Sequence, residues 1–319
     1  MFNSVISQSQ MNALESHFGD ALLLNEGMAR YSVMGVGGPA DFLIVFTSGE
    51  ELEEGIRFLW TEEIPFLLLG GGSNILISDA GIREVVVINE AKEITFIIDE
   101  GSNPLVKAES GASFGNLARR TGSKGFSGLE WASSIPGTVG GAVVNNAGAF
   151  GSNVASDLVV AEILHPVKGT LQRSVWSVED FAYGYRKSII KTGEKSAVVL
   201  NATFKLEKST PEAVKDRISE IAHKRKSSQP QGASLGSMFK NPPGDFSGRL
   251  IEEAGLKGTR IGDAEISQTH ANFFLNTGNA SANDIAALIA LAKDRVAEQF
   301  NVELELEIQF IGDWSKQEN

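Results

Sequence analysis

The stretch "IPGTVGGAVVNNAGAFG", Ile135–Gly151, holds five glycines, three alanines and no charged residue. A backbone this bare in the middle of an acidic chain has two physical uses. It makes tight turns, where glycine takes φ > 0 without penalty, or it forms a wall against which a ligand lies closely. A second such segment lies upstream. In "LLLGGGSNILIS" the run Gly70, Gly71, Gly72, Ser73 and Asn74 follows an apolar strand directly, and consecutive glycines let backbone N–H groups converge on a phosphate. Neither segment carries the Gly-Lys-Ser/Thr of a P-loop, and neither has the G-x-G-x-x-G spacing that opens a helix. One alone is a turn. Two together point to a dinucleotide held on bare backbone.

The rest of the chain bounds what such a ligand site belongs to. At 319 residues it is long enough for two or three domains and a core that encloses a sizeable ligand. The formal net charge of -12 argues against nucleic acid as a partner, since neutralising phosphates needs basic patches. It leaves room for a small anion held by a few arginines, lysines and amides. There is no cysteine, which excludes thiol nucleophiles, disulfides and cysteine-bound zinc or iron–sulfur clusters. Four histidines, His17, His165, His223 and His270, fall at no metal-ligand spacing, so no metal site is expected. The opening "MFNSVISQSQMNALESHFG" lacks a basic and apolar leader, and the longest apolar run, "IAALIALA", is too short for a bilayer. A cytoplasmic protein, with no membrane insertion and no obligate protein partner, is expected.

Periodicity supplies the organisation. A helix is predicted near Gln10–Phe18, and another over "GEELEEGIRFLW", where Leu52, Ile56 and Leu59 recur at helical spacing. Short β-branched segments follow, among them "EVVVINE", "LVKAES", "DLVVAEILHP" and "SAVVLNATFKLEK", giving a sheet-rich middle of α+β rather than βαβ character. Thr210 and Pro211 open a helix that must end before Pro230, so a boundary falls near residue 208. Ser281 and Asp284 fit a capping box. The closing "VELELEIQFIG" alternates apolar and polar residues and is predicted as one strand, with Glu303, Glu305, Glu307 and Gln309 on a solvated face.

Several residues invite a catalytic reading. "GASFG", Gly111–Gly115, matches the G-x-S-x-G nucleophile elbow with Ser113 at its centre, but "GASLG", Gly232–Gly236, matches it too and no oxyanion segment is present. "YGYRKS" places Arg186 among aromatics, where a guanidinium could clamp a carboxylate or phosphate; a plain surface arginine fits as well. "GSMFKNP" sets Ser237, Lys240 and Asn241 in what is otherwise a loop.

Taken in order, "GGGSNIL", "GLEWASSIPGTVGGAVVNNAGAFG", "YRKS", "GSMFKNP", "AGLKGTRIGDAEISQTHANFFLN" and "LELEIQFIG" resemble the UDP-N-acetylenolpyruvoylglucosamine reductase family over nearly the whole chain. The resemblance implies an FAD-binding fold of the vanillyl-alcohol-oxidase (PCMH) type in two subdomains, residues 1–66 and 67–208, plus a C-terminal α+β substrate domain, 209–319. FAD would lie against Gly70–Asn74 and against Ser134, Ile135, Pro136, Gly137, Thr138, Gly140, Gly141 and Gly148. NADPH would be the co-substrate, with hydride passing through the flavin to the methylene carbon of an enolpyruvyl ether, which makes UDP-N-acetylmuramate for peptidoglycan.

Hydride addition at that carbon leaves carbanion character beside a carboxylate, so catalysis needs groups already aimed at developing negative charge. By resemblance Arg186 would hold the carboxylate and Glu307 would assist from a protonated carboxyl. Ser237 would deliver the proton to carbon. Tyr185, Lys226, Asn241 and His270 match positions near the substrate, and Lys226 lies in "HKRKSSQP", a basic island suited to a diphosphate. The chain lacks the insertion carrying a substrate-covering tyrosine, and so resembles the shorter subtype; Gln309 replaces a residue that is often basic. Two alternatives stand beside this reading. One is another flavin oxidoreductase of the same fold acting on a sugar or alcohol; the other is a UDP-sugar-binding protein without catalysis.

Overall fold

The computed structural model describes residues 5–315; the first four and last four residues, with the start of the leader reading above, lie outside them. The chain forms two compact units, neither continuous in sequence. One comprises Met1–Leu43, Gly72–Val86 and Lys226–Asn319, the other Ile44–Gly71 and Val87–Arg225. In chain order the helices are α1 (Gln8–Phe18), α2 (Gly49–Thr61), α3 (Phe114–Ser123), α4 (Val139–Asn145), α5 (Val154–Asp157), α6 (Pro211–Ser228), α7 (Ser247–Glu253) and α8 (Ala282–Phe300).

The second unit is built on an antiparallel sheet of five strands in the order Thr170–Trp176, Leu158–Val167, Val198–Lys205, Leu105–Glu109 and Ile94–Ile97. Its central strand, "VVLNATFK", is buried from Val198 to Phe204, which is why it is apolar almost throughout rather than alternating. Helices α3 and α4 share the core with this sheet. Phe114 meets Trp131 edge-on at 5.5 Å, a geometry that suits the quadrupoles of aromatic rings, and Phe204 at 5.6 Å with its ring tilted by 41°. The expected α+β character of this middle block is what forms.

In the first unit α8 buries Ala282, Ile285, Ala286, Leu288, Ile289, Ala292 and Val296, the i, i+3, i+4, i+7 stripe of an amphipathic helix. The Ser281–Asp284 capping box forms as predicted. Asp79, from the turn after strand Ile75–Ile77, adds a carboxylate that accepts from the amides of Ala282 and Asn283, both at 2.9 Å, where the helix dipole favours negative charge. The short antiparallel sheet of Arg260–Ile261, Ala264–Ile266 and Phe274–Asn276 shares the same core.

The closing segment differs from the single strand expected of it. Only Gln309–Ile311 pairs regularly, in parallel with Ile75–Ile77. Upstream, residues 305–307 bond instead to the segment around Phe239, through an isolated Phe239–Leu306 bridge. The alternation survives nonetheless: Leu304 and Ile308 are buried while Glu303 and Glu305 are exposed. Two short partners in succession, rather than one long one, break the ladder.

Candidate active site

In the second unit the bare stretch begins with Ser134–Thr138 and continues into α4. Thr138 caps α4, its Oγ1 accepting from the Gly141 amide at 3.4 Å. The next amides are engaged by protein: Val139 N–H donates to Ala112 O and Gly140 N–H to Ser110 O, both at 2.8 Å. Two arginines fix the loop from behind. Arg119 donates to the Ser133 carbonyl at 2.5 Å, and Arg225 donates to the Ser134 carbonyl and, at 3.4 Å, to its hydroxyl. Burial lowers the pKa of Arg225 from its usual value, the cost of taking a guanidinium out of water. The sequence reading chose Lys226 in this basic island and passed over its neighbour; Lys226 itself is exposed.

The glycines divide by what they face. A Cβ on Gly70 would lie 2.2 Å from Thr138 Oγ1, and one on Gly71 2.9 Å from Gly137 Cα. On Gly72 it would lie 1.9 Å from Tyr31 O, on Gly140 2.9 Å from Ser110 Cβ, and on Gly148 2.8 Å from Asn153 Cβ. These five are bare because chain packs on chain. Gly141 differs: it is exposed, and its nearest neighbour would be Thr138 Oγ1 at 3.6 Å. In the second unit this leaves backbone amides with the hydroxyls of Ser134 and Thr138, and Ser134–Gly148 contains no carboxylate. A serine or threonine hydroxyl that accepts one bond still has its own proton to donate. This chemistry fits an anionic diphosphate.

Arg186 occupies a turn in the same unit. Gly184 N–H donates to Lys187 O at 3.0 Å and Lys187 N–H to Gly184 O at 3.2 Å. Tyr185 and Arg186 form the tip. Arg186 has φ +55°, a region that usually falls to Gly or Asn and costs a side-chain-bearing residue on the order of 1–3 kcal/mol. Its Cζ lies 5.9 Å from the Tyr185 ring centroid, and Tyr185 is 62% exposed.

The first unit holds Ser73, Asn74, Ser237, Asn241, His270 and Glu307. Residues 237–240 are threaded between two neighbours. Met238 N–H donates to Asn272 O at 2.9 Å, and Lys240 N–H donates to Glu305 O at 2.8 Å. The buried Asn272 side chain accepts from Phe239 N–H at 2.9 Å and donates to Phe239 O at 2.8 Å. On the other side Glu307 N–H donates to Met238 O at 2.8 Å, and Asn74 Nδ2 donates to Glu307 O at 3.3 Å. Asn74, Glu307 and the residue after Ser237 are thus joined through backbone groups. Asn272, which the sequence reading missed, clamps the serine segment; its setting in "THANFFLN" offered no local signal.

The substrate candidates fare unevenly. Asn241 uses its Oδ1 to accept from Ser247 N–H at 3.1 Å at the start of α7, leaving its Nδ2. His270 is half-buried, and burial lowers its pKa below the usual 6.5. Its Nδ1 accepts from Asn272 N–H at 3.2 Å, so the neutral ring carries its proton on Nε2 as a donor. Gly248 permits this, since a Cβ there would lie 2.8 Å from His270 Cε1. Ser113, the elbow candidate, is a helix cap, its Oγ accepting from Asn116 N–H at 3.3 Å.

Known proteins place this arrangement. The family model of the FAD binding domain matches residues 40–174, and that of the UDP-N-acetylenolpyruvoylglucosamine reductase C-terminal domain matches 228–311. The fold is accordingly that of an FAD-binding domain with an added C-terminal α+β domain. The reductases of Chloroflexus aggregans and Rubrobacter xylanophilus are 43% and 42% identical over 290 and 293 residues, covering 90% and 92% of this chain and 96% of each relative. The crystal structure of the Thermus caldophilus reductase superposes with a TM-score of 0.73 at 35% identity, over 91% of this chain and 98% of that one. The chain belongs to the UDP-N-acetylenolpyruvoylglucosamine reductase family.

Proposed function

We propose that Arg186, Ser237 and Glu307 carry the chemistry of this enzyme, which reduces the enolpyruvyl ether of UDP-N-acetylglucosamine-enolpyruvate to UDP-N-acetylmuramate with FAD and NADPH. The bond from Glu307 N–H to Met238 O at 2.8 Å is the observation that carries the reading. It ties the segment of the proton donor to that of the assisting carboxyl. FAD, when bound, supplies the hydride route from NADPH to the substrate; Gly70–Asn74 and Ser134–Gly148 would hold it. Within the chain, Arg186 grips both oxygens of the substrate carboxylate and so stabilises charge that grows as the adjacent carbon gains electrons. The Ser237 hydroxyl gives its proton to that carbon, a strong enough base to take it from a weak acid. The Nε2–H of His270 and Nδ2 of Asn241 donate to polar atoms of the sugar nucleotide, and Tyr185 and Lys226 border it.

The three segments 1–66, 67–208 and 209–319 serve on this reading as two cofactor-binding parts and one substrate-binding part, in a cytoplasmic enzyme acting alone. Separating the half-reactions tests the assignment. Ser237→Ala should oxidise NADPH normally and lose reduction of the enolpyruvyl substrate; an equal fall in both would remove the serine from the proton transfer. Near-normal turnover by Glu307→Gln would return that residue to the solvated face. Purified protein without flavin absorbance, even after FAD is added, would overturn the reading as a whole.

A further inference from the structure

The end of α4 makes contacts distinct from those of its glycine-rich start. Asn146 closes the helix in the left-handed region, φ 44° and ψ 55°. Its side chain is used twice from there: Oδ1 accepts from Ala155 N–H at 3.0 Å, and Nδ2 donates to Gly184 O at 3.0 Å. Gly184 begins the turn that carries Arg186. The arms of that turn hang from the same helix end, with Tyr183 Oη donating to Val143 O at 2.9 Å and Ser188 Oγ to Val144 O at 2.6 Å. The last carbonyls of a helix lack the full set of partners within it; Val143 O takes the Asn146 N–H at 3.3 Å, and its second lone pair takes the tyrosine arm. Asn146 is 8% exposed, and water competes little for its bonds.

We propose that Asn146 is a positioning residue for Arg186, its side-chain amide fixing the strained turn that aims the guanidinium. The inference rests on the reading of Arg186 as the group that holds the substrate carboxylate. An arginine at φ +55° persists only where its surroundings over-determine it, and Asn146 bonds the turn itself while Tyr183 and Ser188 hold its arms. The position asks for three properties at once: a backbone tolerant of the left-handed region, an acceptor toward Ala155 and a donor toward Gly184. Glycine meets the first and aspartate the first two. Asparagine meets all three. One consequence is mechanical. The cofactor loop Gly137–Thr138 opens α4 and the arginine turn is fastened to its end, so a rod of seven residues, about 10 Å at 1.5 Å per residue, sets their spacing.

The test uses purified holoenzyme and follows the two half-reactions separately in Asn146→Asp, Arg186→Ala and the double variant. Asn146→Asp should keep its flavin content, its melting temperature within a few degrees and its NADPH half-reaction within about twofold. Its substrate half-reaction should fall about 100-fold, the effect of misplacing a reacting group by roughly 1 Å. In the Arg186→Ala background the same change should cost less than about threefold, because the group it positions is gone. Lowering the pH from about 8 to about 5.5 should restore part of the loss relative to wild type, since protonating the introduced carboxylate gives the position a donor again; a general packing defect would show no such recovery. Should the aspartate variant not fold, Asn146→Gly keeps the backbone conformation and must show the same selective loss. If Arg186→Ala abolishes substrate reduction while Asn146→Asp or Asn146→Gly leaves it within threefold, the positioning role fails and the arginine reading stands. Equal slowing of both half-reactions, or undiminished loss in the Arg186→Ala background, also overturns it. If Arg186→Ala itself reduces substrate normally, the arginine reading fails, and the inference with it.

Discussion

Gly70→Ala offers the sharpest test of why the glycines proposed to line the cofactor are bare. Its Cβ would lie 2.2 Å from Thr138 Oγ1, 3.0 Å from Cγ2 and 3.2 Å from Cβ. The first of these distances cannot be sustained, so Thr138 must turn away and give up the bond by which its Oγ1 caps α4. A lost N-cap costs about 1 kcal/mol, and forcing a methyl into a filled space a further 1–3 kcal/mol or so. Gly70→Ala should therefore destabilise the protein by about 2–4 kcal/mol and weaken FAD binding with it. Thr138→Ala alone should cost about 1 kcal/mol, as a lost cap. In its background the two closest of these contacts are gone and the 3.2 Å one stays, and Gly70→Ala should then cost less than about 1 kcal/mol, a coupling of about 2 kcal/mol between the two sites. Urea unfolding followed by tryptophan fluorescence measures all four corners of the cycle. Additivity within about 0.5 kcal/mol would refute the packing account and return Gly70 to a ligand-facing role.

Other outcomes follow from the same geometry. Arg225→Met should weaken FAD binding by about tenfold, since the lost hydrogen bonds hold the Ser134 carbonyl in place and tenfold is about 1.4 kcal/mol; unchanged affinity in a flavin titration would show the loop is held otherwise. Asp79→Ala should destabilise by about 1 kcal/mol through the start of α8, read as a lower urea midpoint at constant slope. The His270 ring should titrate below 6.5 by NMR, because burial disfavours its charged form. The unfolded chain then binds that proton more readily, so the site's contribution to stability is complete above about 6.5 and is lost as pH falls from there toward the folded value. A titration midpoint at or above 6.5 would contradict this.

Much of the local structure was legible in the residues. The caps at Thr210 and Ser281, the stripe of α8 and the apolar central strand Val198–Lys205 are short-range patterns, and each forms where its pattern lies. The closing strand misled because alternation reports which face is buried and not how long a partner runs; Ile75–Ile77 offers three residues and no more. Arg225 and Asn272 were overlooked for a related reason. Each acts on a segment remote in sequence, Ser134 and Phe239, and nothing in the residues beside it names that partner.

By itself the sequence determined the family, because six motifs in a fixed order are far more specific than any one of them, and it determined the chemical inventory: no thiol, few histidines, and glycine with hydroxyls where a diphosphate would lie. The tertiary structure alone decided what each bare position faces. Five of the glycines assigned to the cofactor, Gly70, Gly71, Gly72, Gly140 and Gly148, meet chain rather than open space, while Gly141 stands clear. It also decided that "VVNN", at the end of α4, holds the arginine turn. Backbone freedom is a property of a residue and is written in its type; the neighbour that requires it lies dozens of residues away, and only folding brings the two together.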